Sequence, residues 1–470
     1  MVDVTALLNG KISLSKDDVA KLLQTTPGAL DAFEKSYRPS LKNVSDNFFE
    51  INAKQASAMG KKEECNDPEL IRLKENIINE LLDQTVGFCY DGKKGCWFKI
   101  NPYEAFSEKI QTPPITLDDI KQFPEELRPQ VTGNLVKKDF DMDSYPAVLF
   151  LYDMFLKNKG TEQGKIGYQM FRQGLDILDL DPVLYGIIGM NQNSMGNWLP
   201  EVIAAIQKQD FFKVPKTKLI KVPLPLLQLT RTEYGTLTQT TKDILNGYCM
   251  SAFGLNVDEQ YFIKTGTYSS KYDFRNAVVK GAQEVRELGE YLLYIHFQAL
   301  QMASPLCQPV IYGVSTTNEW VVREYIPDVE NNPSIYKGMP LHTEYRIFVD
   351  FDDNRILGIA PYWEPKTMKD RFLNRPDSDE AHQIHDYIIF RMHENKLMKQ
   401  FDQNKDMVAS QLEKMLPDIR LHGQYSVDIM QNGKDFYLID MALAQNSALN
   451  EYIPIELRRP MEENWLPEIN

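Results

Sequence analysis

Residues 424–446 read QYSVDIMQNGKDFYLIDMALAQN. Residues 425–430 and 435–441 alternate polar and apolar side chains, as half-buried strands do. Between them stands Gln431-Asn432-Gly433-Lys434, and Asn-Gly is a strong hairpin signal. Each predicted strand carries one acid, Asp428 on the first and Asp440 on the second. Paired strands bring such acids within reach of one cation. Two carboxylates with an amide oxygen from Asn446 suit Mg²⁺, a hard cation that shares its oxygen ligands with a nucleotide's phosphates. An ordinary hairpin with two exposed acids is the alternative. Read as exposed, Asp428 and Asp440 tolerate amide replacement without loss of fold.

Working outward, residues 341–363 form another predicted hairpin, turning at Asp352-Asp353-Asn354. Arg346 sits in it among Ile347, Phe348 and Val349, where a guanidinium needs an anion or carbonyl partner. Residues 319–326, EWVVREYI, and 259–265, EQYFIKT, read as strands, the second with Lys264 near its end. Gly266-Thr267-Tyr268-Ser269-Ser270-Lys271 follows, a loop rich in backbone N–H groups and hydroxyls with a second cation. Residues 386–398 and 406–415 read as two helices, 282–302 as one, and 366–380 as a charged mobile segment. Residues 219–229 read as an extended segment interrupted by Pro223 and Pro225.

The first part of the chain is predicted to be helical, with helices after Ser15, over 28–37 and from Pro68 onward. Residues 85–100 read as a hairpin turning at Asp91-Gly92, with Cys89 and Cys96 facing across it. Residues 101–144 read as loop, 145–157 as a buried element, and 183–190 as a buried strand leading into a loop and helix over 191–206. Asn193, Ser194 and Trp198 there are either ligand contacts or a capped helix start with a packed indole. His382, His385 and Asp386 share a helix but have no third-ligand pattern after them, which favours a solvated helix over a zinc site.

The bulk composition bounds the function. A chain of 470 residues holds two or three domains. A net charge of −14 disfavours broad nucleic-acid or anionic-membrane binding. Five cysteines without a C-x-x-C pair, and a start without a basic, then apolar, leader, point to a reduced, cytoplasmic protein. No apolar run is long enough to span a bilayer.

YFIKTG with Lys264, VVREYIPD over 321–328, TEYRIFV with Glu344 and Arg346, and DIM…LID with Asp428 and Asp440 together resemble the ATP-grasp superfamily. From about residue 216 the chain looks most like the eukaryotic cell-division-cycle ATP-grasp proteins that help assemble translation initiation factor two. The resemblance implies an α+β fold of two α+β lobes clamping ATP; the residues before it, which it does not cover, read as a mostly helical N-terminal region. The expected divisions are residues 1–84, a helical extension; 85–215, an α/β pre-ATP-grasp or substrate region; 216–330, the first lobe; and 331–470, the second, metal-bearing lobe. It implies that Lys264 touches the α/β-phosphates and that Ser269, Ser270 and Lys271 close over them. The main chain of Arg323, Glu324, Tyr325 and Ile326 would line the adenine, and Asp328 would meet the ribose. Arg346 would face the γ-phosphate or an acyl-phosphate as the catalytic residue, and Asp428, Asp440 and Asn446 would hold Mg²⁺. Two positions depart from the superfamily pattern. The phosphate loop has one glycine, Gly266, and Asp440 is followed by Met441-Ala442 rather than by an asparagine two residues on.

The implied function is a Mg²⁺- and ATP-dependent ligase that activates a carboxylate as an acyl-phosphate for attack by an amine or other nucleophile. The alternative is a non-ligase ATP-binding assembly factor or chaperone for a protein partner.

Overall fold

Pro68 opens the first helix, as a proline at the first helical position predicts. The computed structural model describes residues 68–83, 85–99, 189, 191–231, 237, 239–302, 317–373 and 381–459. The readings made at 15–37, 101–157, 183–188 and 374–380 lie outside these residues. Among those described, the order is α1 (Pro68–Asp83), β1 (Val86–Tyr90), β2 (Gly95–Lys99), α2 (Met195–Ile206), β3 (Phe212–Lys213), β4 (Thr217–Lys221), α3 (Leu224–Gln228), α4 (Gln239–Phe253), β5 (Tyr261–Thr265), β6 (Val278–Val279), α5 (Ala282–Arg286), α6 (Leu288–Met302) and β7 (Glu319–Glu324). Then come β8 (Ser334–Ile335), β9 (Met339–Pro340), β10 (Glu344–Asp350), β11 (Arg355–Pro361), α7 (Pro365–Leu373), α8 (Ala381–Met415), β12 (Gln424–Asn432) and β13 (Asp435–Leu443). The fold is α+β.

The strands make two larger sheets. The first, in order β2-β1-β4-β7-β5-β6, is antiparallel throughout. The second, β11-β10-β12-β13-β3, is antiparallel except that β3 runs parallel to β13. Strand alternation sorts their faces. In the first sheet Trp320, Ile263 and Ile220 turn to one side, where Trp320 donates its indole N–H to His296 of α6 at 3.1 Å. Leu219, Val321, Arg323 and Lys264 turn to the other, toward the second sheet. In the second sheet Tyr345, Ile347, Val349, Val427, Ile429 and Leu438 pack on α2 and α8 in one core that also takes in Phe88, Leu219 and Val321.

Four local readings are corrected. Residues 219–229 are not extended throughout: β4 gives way to α3, whose Pro225 stands where no helical N–H is needed. Part of the 366–380 segment is α7, opened by the Glu364 carboxylate accepting the Thr367 N–H at 2.6 Å and anchored by buried Met368 and Phe372. The two helices expected over 386–415 are one 35-residue helix, α8. Its polar middle contains no glycine or proline, and buried Phe390, Leu397, Phe401, Val408, Leu412 and Met415 carry one apolar stripe through it. Conversely, the single helix expected over 282–302 breaks at Glu287 into α5 and α6.

The hairpins at 85–100, 341–363 and 424–446 form as expected. Cys89 and Cys96 pair in register as free thiols. The last hairpin turns through Gly433-Lys434, with Asn432 paired to Asp435 and only Gly433 of the two at positive φ, 65°. Asn432 is therefore the last ladder residue rather than the first turn residue. Its side chain instead ties the two sheets, donating to Pro327 O at 2.9 Å and accepting the Val329 N–H at 3.0 Å. Among the described residues, no helix is long and apolar enough to cross a membrane.

Candidate functional site: a charged cleft between the sheets

Arg346 on β10, Asp428 on β12 and Asp440 on β13 are successive partners across three strands, one rung of the second sheet. Asp440 reaches this rung through a bulge. Ile429 pairs with Leu438 and Asp428 with Asp440, so Ile439 is the extra residue. Strict alternation would put Asp440 on the core face with Phe436 and Leu438. The bulge reverses the parity, sends Met441 into the core and aims Asp440 into the cleft.

The first sheet answers this rung with cations. Lys264, 1% exposed, places Nζ 3.0 and 2.9 Å from the two oxygens of Asp440. Burial lowers its pKa, opposed by the Asp440 charge. Arg323 donates from Nε to Thr217 Oγ1 at 3.1 Å and from Nη1 to the Ile439 carbonyl, freed by the bulge, at 2.5 Å. Its Nη2 is buried without a hydrogen-bond partner. Burial pushes the Arg323 pKa down to about 10, against the pull of Asp440. Arg346 is held by Asp428 in a bidentate pair, Nε to Oδ1 at 2.8 Å and Nη2 to Oδ2 at 2.7 Å, and Nη1 donates to Ala448 O at 3.2 Å. Its guanidinium also lies 4.7 Å from the Tyr362 ring centroid, and Lys271 Nζ lies 4.5 Å from the same centroid while donating to the Tyr362 hydroxyl.

The acids are thus not an exposed pair. Asp428 is buried, which corrects the expectation that its amide replacement leaves the fold intact. Asp440 keeps a side-chain exposure of 37%. Each carboxylate retains lone pairs beyond its contacts with Arg346 or Lys264, so both can take a hard cation whose other ligands are phosphate oxygens. Asn446 is committed elsewhere, its Oδ1 accepting from Asn193 Nδ2 at 3.2 Å. Among the described residues, no group of three or more His, Cys, Asp or Glu can hold a metal without outside ligands.

The remaining expected residues divide. Ser270 is buried at φ 49° and gives its hydroxyl to Gln298 at 2.6 Å, while Ser269 is half-buried beside it. β7 is a central strand, so the main chain through Glu324 is spent on β4 and β5, and the Tyr325 N–H goes to Gln260 O at 3.2 Å. Main-chain contact with a base is therefore confined to the chain beyond that N–H, around Ile326. The Arg323 side chain joins the charged cleft instead. Asp328 organises its own loop, accepting from Asn332 N at 2.6 Å, Asn332 Nδ2 at 3.0 Å and Glu330 N at 3.2 Å. Asp386 accepts the Tyr336 N–H at 2.8 Å, which places it in a structural role on α8.

Two contributors were given no role by the sequence reading. Glu319 is fully buried, with Oε2 accepting from Ser194 Oγ at 2.5 Å and Gly196 N at 2.8 Å, and Oε1 paired with Lys221. Ser194, read as a ligand contact or cap, belongs to this network, and Trp198 is packed in the core. The network seats the loop after Lys264: Gly266 N donates to Glu319 O at 3.1 Å, and Gly266 O accepts the Met195 N–H at 2.9 Å. A Cβ on Gly266 would overlap Ser194 Oγ and lie 2.5 Å from Glu319 Oε2. Gly266→Ala is expected to cost about 1–3 kcal/mol in urea denaturation, as overpacking does. An unchanged midpoint would show that the contact relaxes freely.

Glu344, two residues from Arg346 on β10, is the second. Burial raises its pKa from 4.5 to about 8, opposed by Lys271. Between these two values the unfolded chain has lost the proton and the folded chain still holds it, so stability falls as pH rises through this window. The span corresponds to roughly 5 kcal/mol. Glu344→Gln lacks the slope. Relative to wild type, the variant should gain stability progressively between pH 5 and 9 in paired thermal melts, and parallel curves over that range would contradict the assignment.

No protein-family model and no curated protein matches the chain. Among solved structures, Cdc123 from Schizosaccharomyces pombe and its C-terminally truncated form each overlap 58% of this chain at 15% identity. The overlap takes in 96% of the Cdc123 chain and 94% of the truncated one, with a TM-score of 0.34 in both cases. A likeness that loose carries no argument about this protein.

Proposed function

We propose that the protein binds Mg·ATP in the cleft between its two sheets, in the manner of an ATP-grasp protein. The supporting observation is a charge imbalance. Lys264, Lys271, Arg323 and Arg346 line one cleft with Asp428 and Asp440, while burial raises the pKa of Glu344 beside them. The buried Nη2 of Arg323, without a hydrogen-bond partner, is a donor suited to an anion. Phosphates supply that charge. In this reading Lys264 and Arg323 meet the inner phosphates, and Lys271 meets the terminal one with Ser269 and Ser270 nearby. Asp428 and Asp440 face Mg²⁺, whose chemistry is to neutralise phosphate charge. Tyr325, Ile326 and Asp328 border the nucleoside end. The cellular setting is a reducing, cytoplasmic one.

Such a site serves either a carboxylate–amine ligase or an ATP-binding assembly factor for a protein partner. The engagement of Arg346 favours the second. Its Nε, Nη1 and Nη2 already have acceptors and its face has Tyr362, so it acts as a clamp on Asp428 rather than as a donor held ready for a transferring phosphoryl group. Calorimetry with ATP, with and without Mg²⁺, tests the binding. Incubation with Mg·ATP and a pool of carboxylates and amines, followed by mass spectrometry for ADP, AMP and new adducts, tests the chemistry. Absence of ATP binding would sink the proposal, and an adduct formed with ADP would restore the ligase reading.

A further inference from the structure

Cys89 of β1 and Cys96 of β2 are direct partners across an antiparallel pair. Directly opposed residues of such a pair lie about 4.5–5.5 Å apart at Cα and project to the same face. A disulfide spans about 4.4–6.8 Å between Cα atoms, so this pair can be bridged without moving the backbone. The register is pinned. The next pair along, Phe88 and Trp97, packs edge-on at 5.6 Å on the opposite face, where Phe88 is fully buried in the core shared with α2. A slip of one residue would turn that ring out of the core. On its other side β1 is paired over its whole length with β4.

The two thiols differ in access. Cys89 is half-buried, and Cys96 is 9% exposed. Lysines surround them: Lys93 and Lys94 are exposed in the turn between the strands, and Lys218 of β4 stands directly opposite Cys89. Asp91, the acid of that turn, accepts the Lys93 and Lys94 N–H groups at 3.0 and 3.5 Å. Such a setting draws an anionic reagent to the hairpin although the chain as a whole is acidic. Cys249 is the contrast, fully buried in the core, where burial pushes its thiol up.

We propose that Cys89 and Cys96 form a redox modification site, oxidised by a low-molecular-weight disulfide to a reversible cross-strand bridge. The reaction is a double exchange. Cys89, the more accessible thiol, gives its proton to solvent and attacks one sulfur of the small disulfide. That S–S bond breaks, and one small thiolate leaves and takes up a proton. The Cys96 thiolate then attacks the Cys89 sulfur of the mixed disulfide and expels the second small thiol. Two protein thiols are oxidised, and one small disulfide is reduced to two thiols. The second step joins groups that the strand ladder already holds together, so it outruns the addition of a second small thiol at Cys96. In a reducing compartment, the disulfides that do form are transient and redox-sensing, and an exposed bridge belongs to the labile class.

The test uses glutathione disulfide in graded ratios to glutathione on the folded full chain. Remaining thiols are alkylated, and tryptic peptides are mapped by mass spectrometry. Lys93 and Lys94 lie between the two cysteines, so trypsin leaves these on separate peptides that only a bridge joins. Wild type is expected to give the joined pair, to lose it in excess glutathione, and to alkylate at Cys249 only after denaturation. Cys96→Ser is expected to stop at a glutathione adduct on Cys89. Cys89→Ser is expected to react at Cys96 at least about tenfold more slowly, as a buried thiol does. Thermal melts check that both variants fold, and the wild-type map stands without them. No joined pair in wild type at any ratio, a joined pair only in denaturant, a lasting glutathione adduct on Cys89 in wild type, or Cys89 joined to Cys65 or Cys307 instead would overturn the proposal.

Discussion

Asp428→Asn is expected to destabilise the protein by about 3–5 kcal/mol, the cost of breaking a buried ion pair by removing one partner. The Asp428 and Arg346 side chains are only 9% and 12% exposed, and the carboxylate accepts two guanidinium hydrogen bonds. Asparagine presents one oxygen and one NH₂ to that fork, so a donor faces a donor and the guanidinium keeps its charge. Burial also shields the pair from counterions, so the loss should persist in concentrated salt. Arg346→Met combined with Asp428→Leu removes both charges and should cost much less than the two single changes added together, since pairs in contact are not additive. Urea midpoints for the two single variants and the double variant measure this. An Asp428→Asn loss under about 1 kcal/mol, or strict additivity, would show that the pair is hydrated in solution.

Lys264→Met is expected to act in the opposite way, weakly on stability and strongly on binding. Lys264 is buried, whereas its partner Asp440 has 37% of its side chain exposed. Removing the ammonium abolishes the larger desolvation cost and leaves a carboxylate that water can reach, so stability should change by less than about 1 kcal/mol. Affinity for Mg·ATP should fall roughly 10- to 100-fold, the range for a lost hydrogen bond to a charged group. Affinity for adenosine should stay within about twofold, because no phosphate is involved. Asp440→Asn reverses the asymmetry by leaving the buried ammonium without its counter-charge, and should destabilise more than Lys264→Met. Equal losses for ATP and adenosine in Lys264→Met would move Lys264 away from the phosphates.

Local physics was legible in the sequence wherever a short-range pattern carries the information. The hairpins at 85–100, 341–363 and 424–446 follow from alternation and turn residues, because strand parity and turn chemistry act over a few positions. Asp428 and Asp440 were singled out from types and spacing and Arg346 from its apolar neighbours, whereas the phosphate role of Lys264 came only from the resemblance. Errors came where tertiary context overrides local signals. The polar middle of α8 looked like a gap, yet its buried stripe lies on one face only once the turns are built. α7 looked mobile because its charges outnumber its two anchors, Met368 and Phe372.

What the chain's sequence determined by itself is the three hairpins and the strands around Lys264 and Arg323, with the charged residues they carry. Which charge meets which was decided by the meeting of the two sheets. The bulge at Ile439 appears in sequence only as a break in the Phe436, Leu438, Met441 alternation, yet it turns Asp440 out of the core and frees the carbonyl that Arg323 takes. Glu319 and Ser194 lie 125 positions apart and read as a strand acid and a loop hydroxyl until β7 is set against the start of α2. Tyr336, at φ 51°, carries no sequence mark, because its conformation is imposed by Phe274 and Asp386 from two distant elements. Burial, partners and pKa belong to pairs of distant residues, and only the packed chain brings those pairs together.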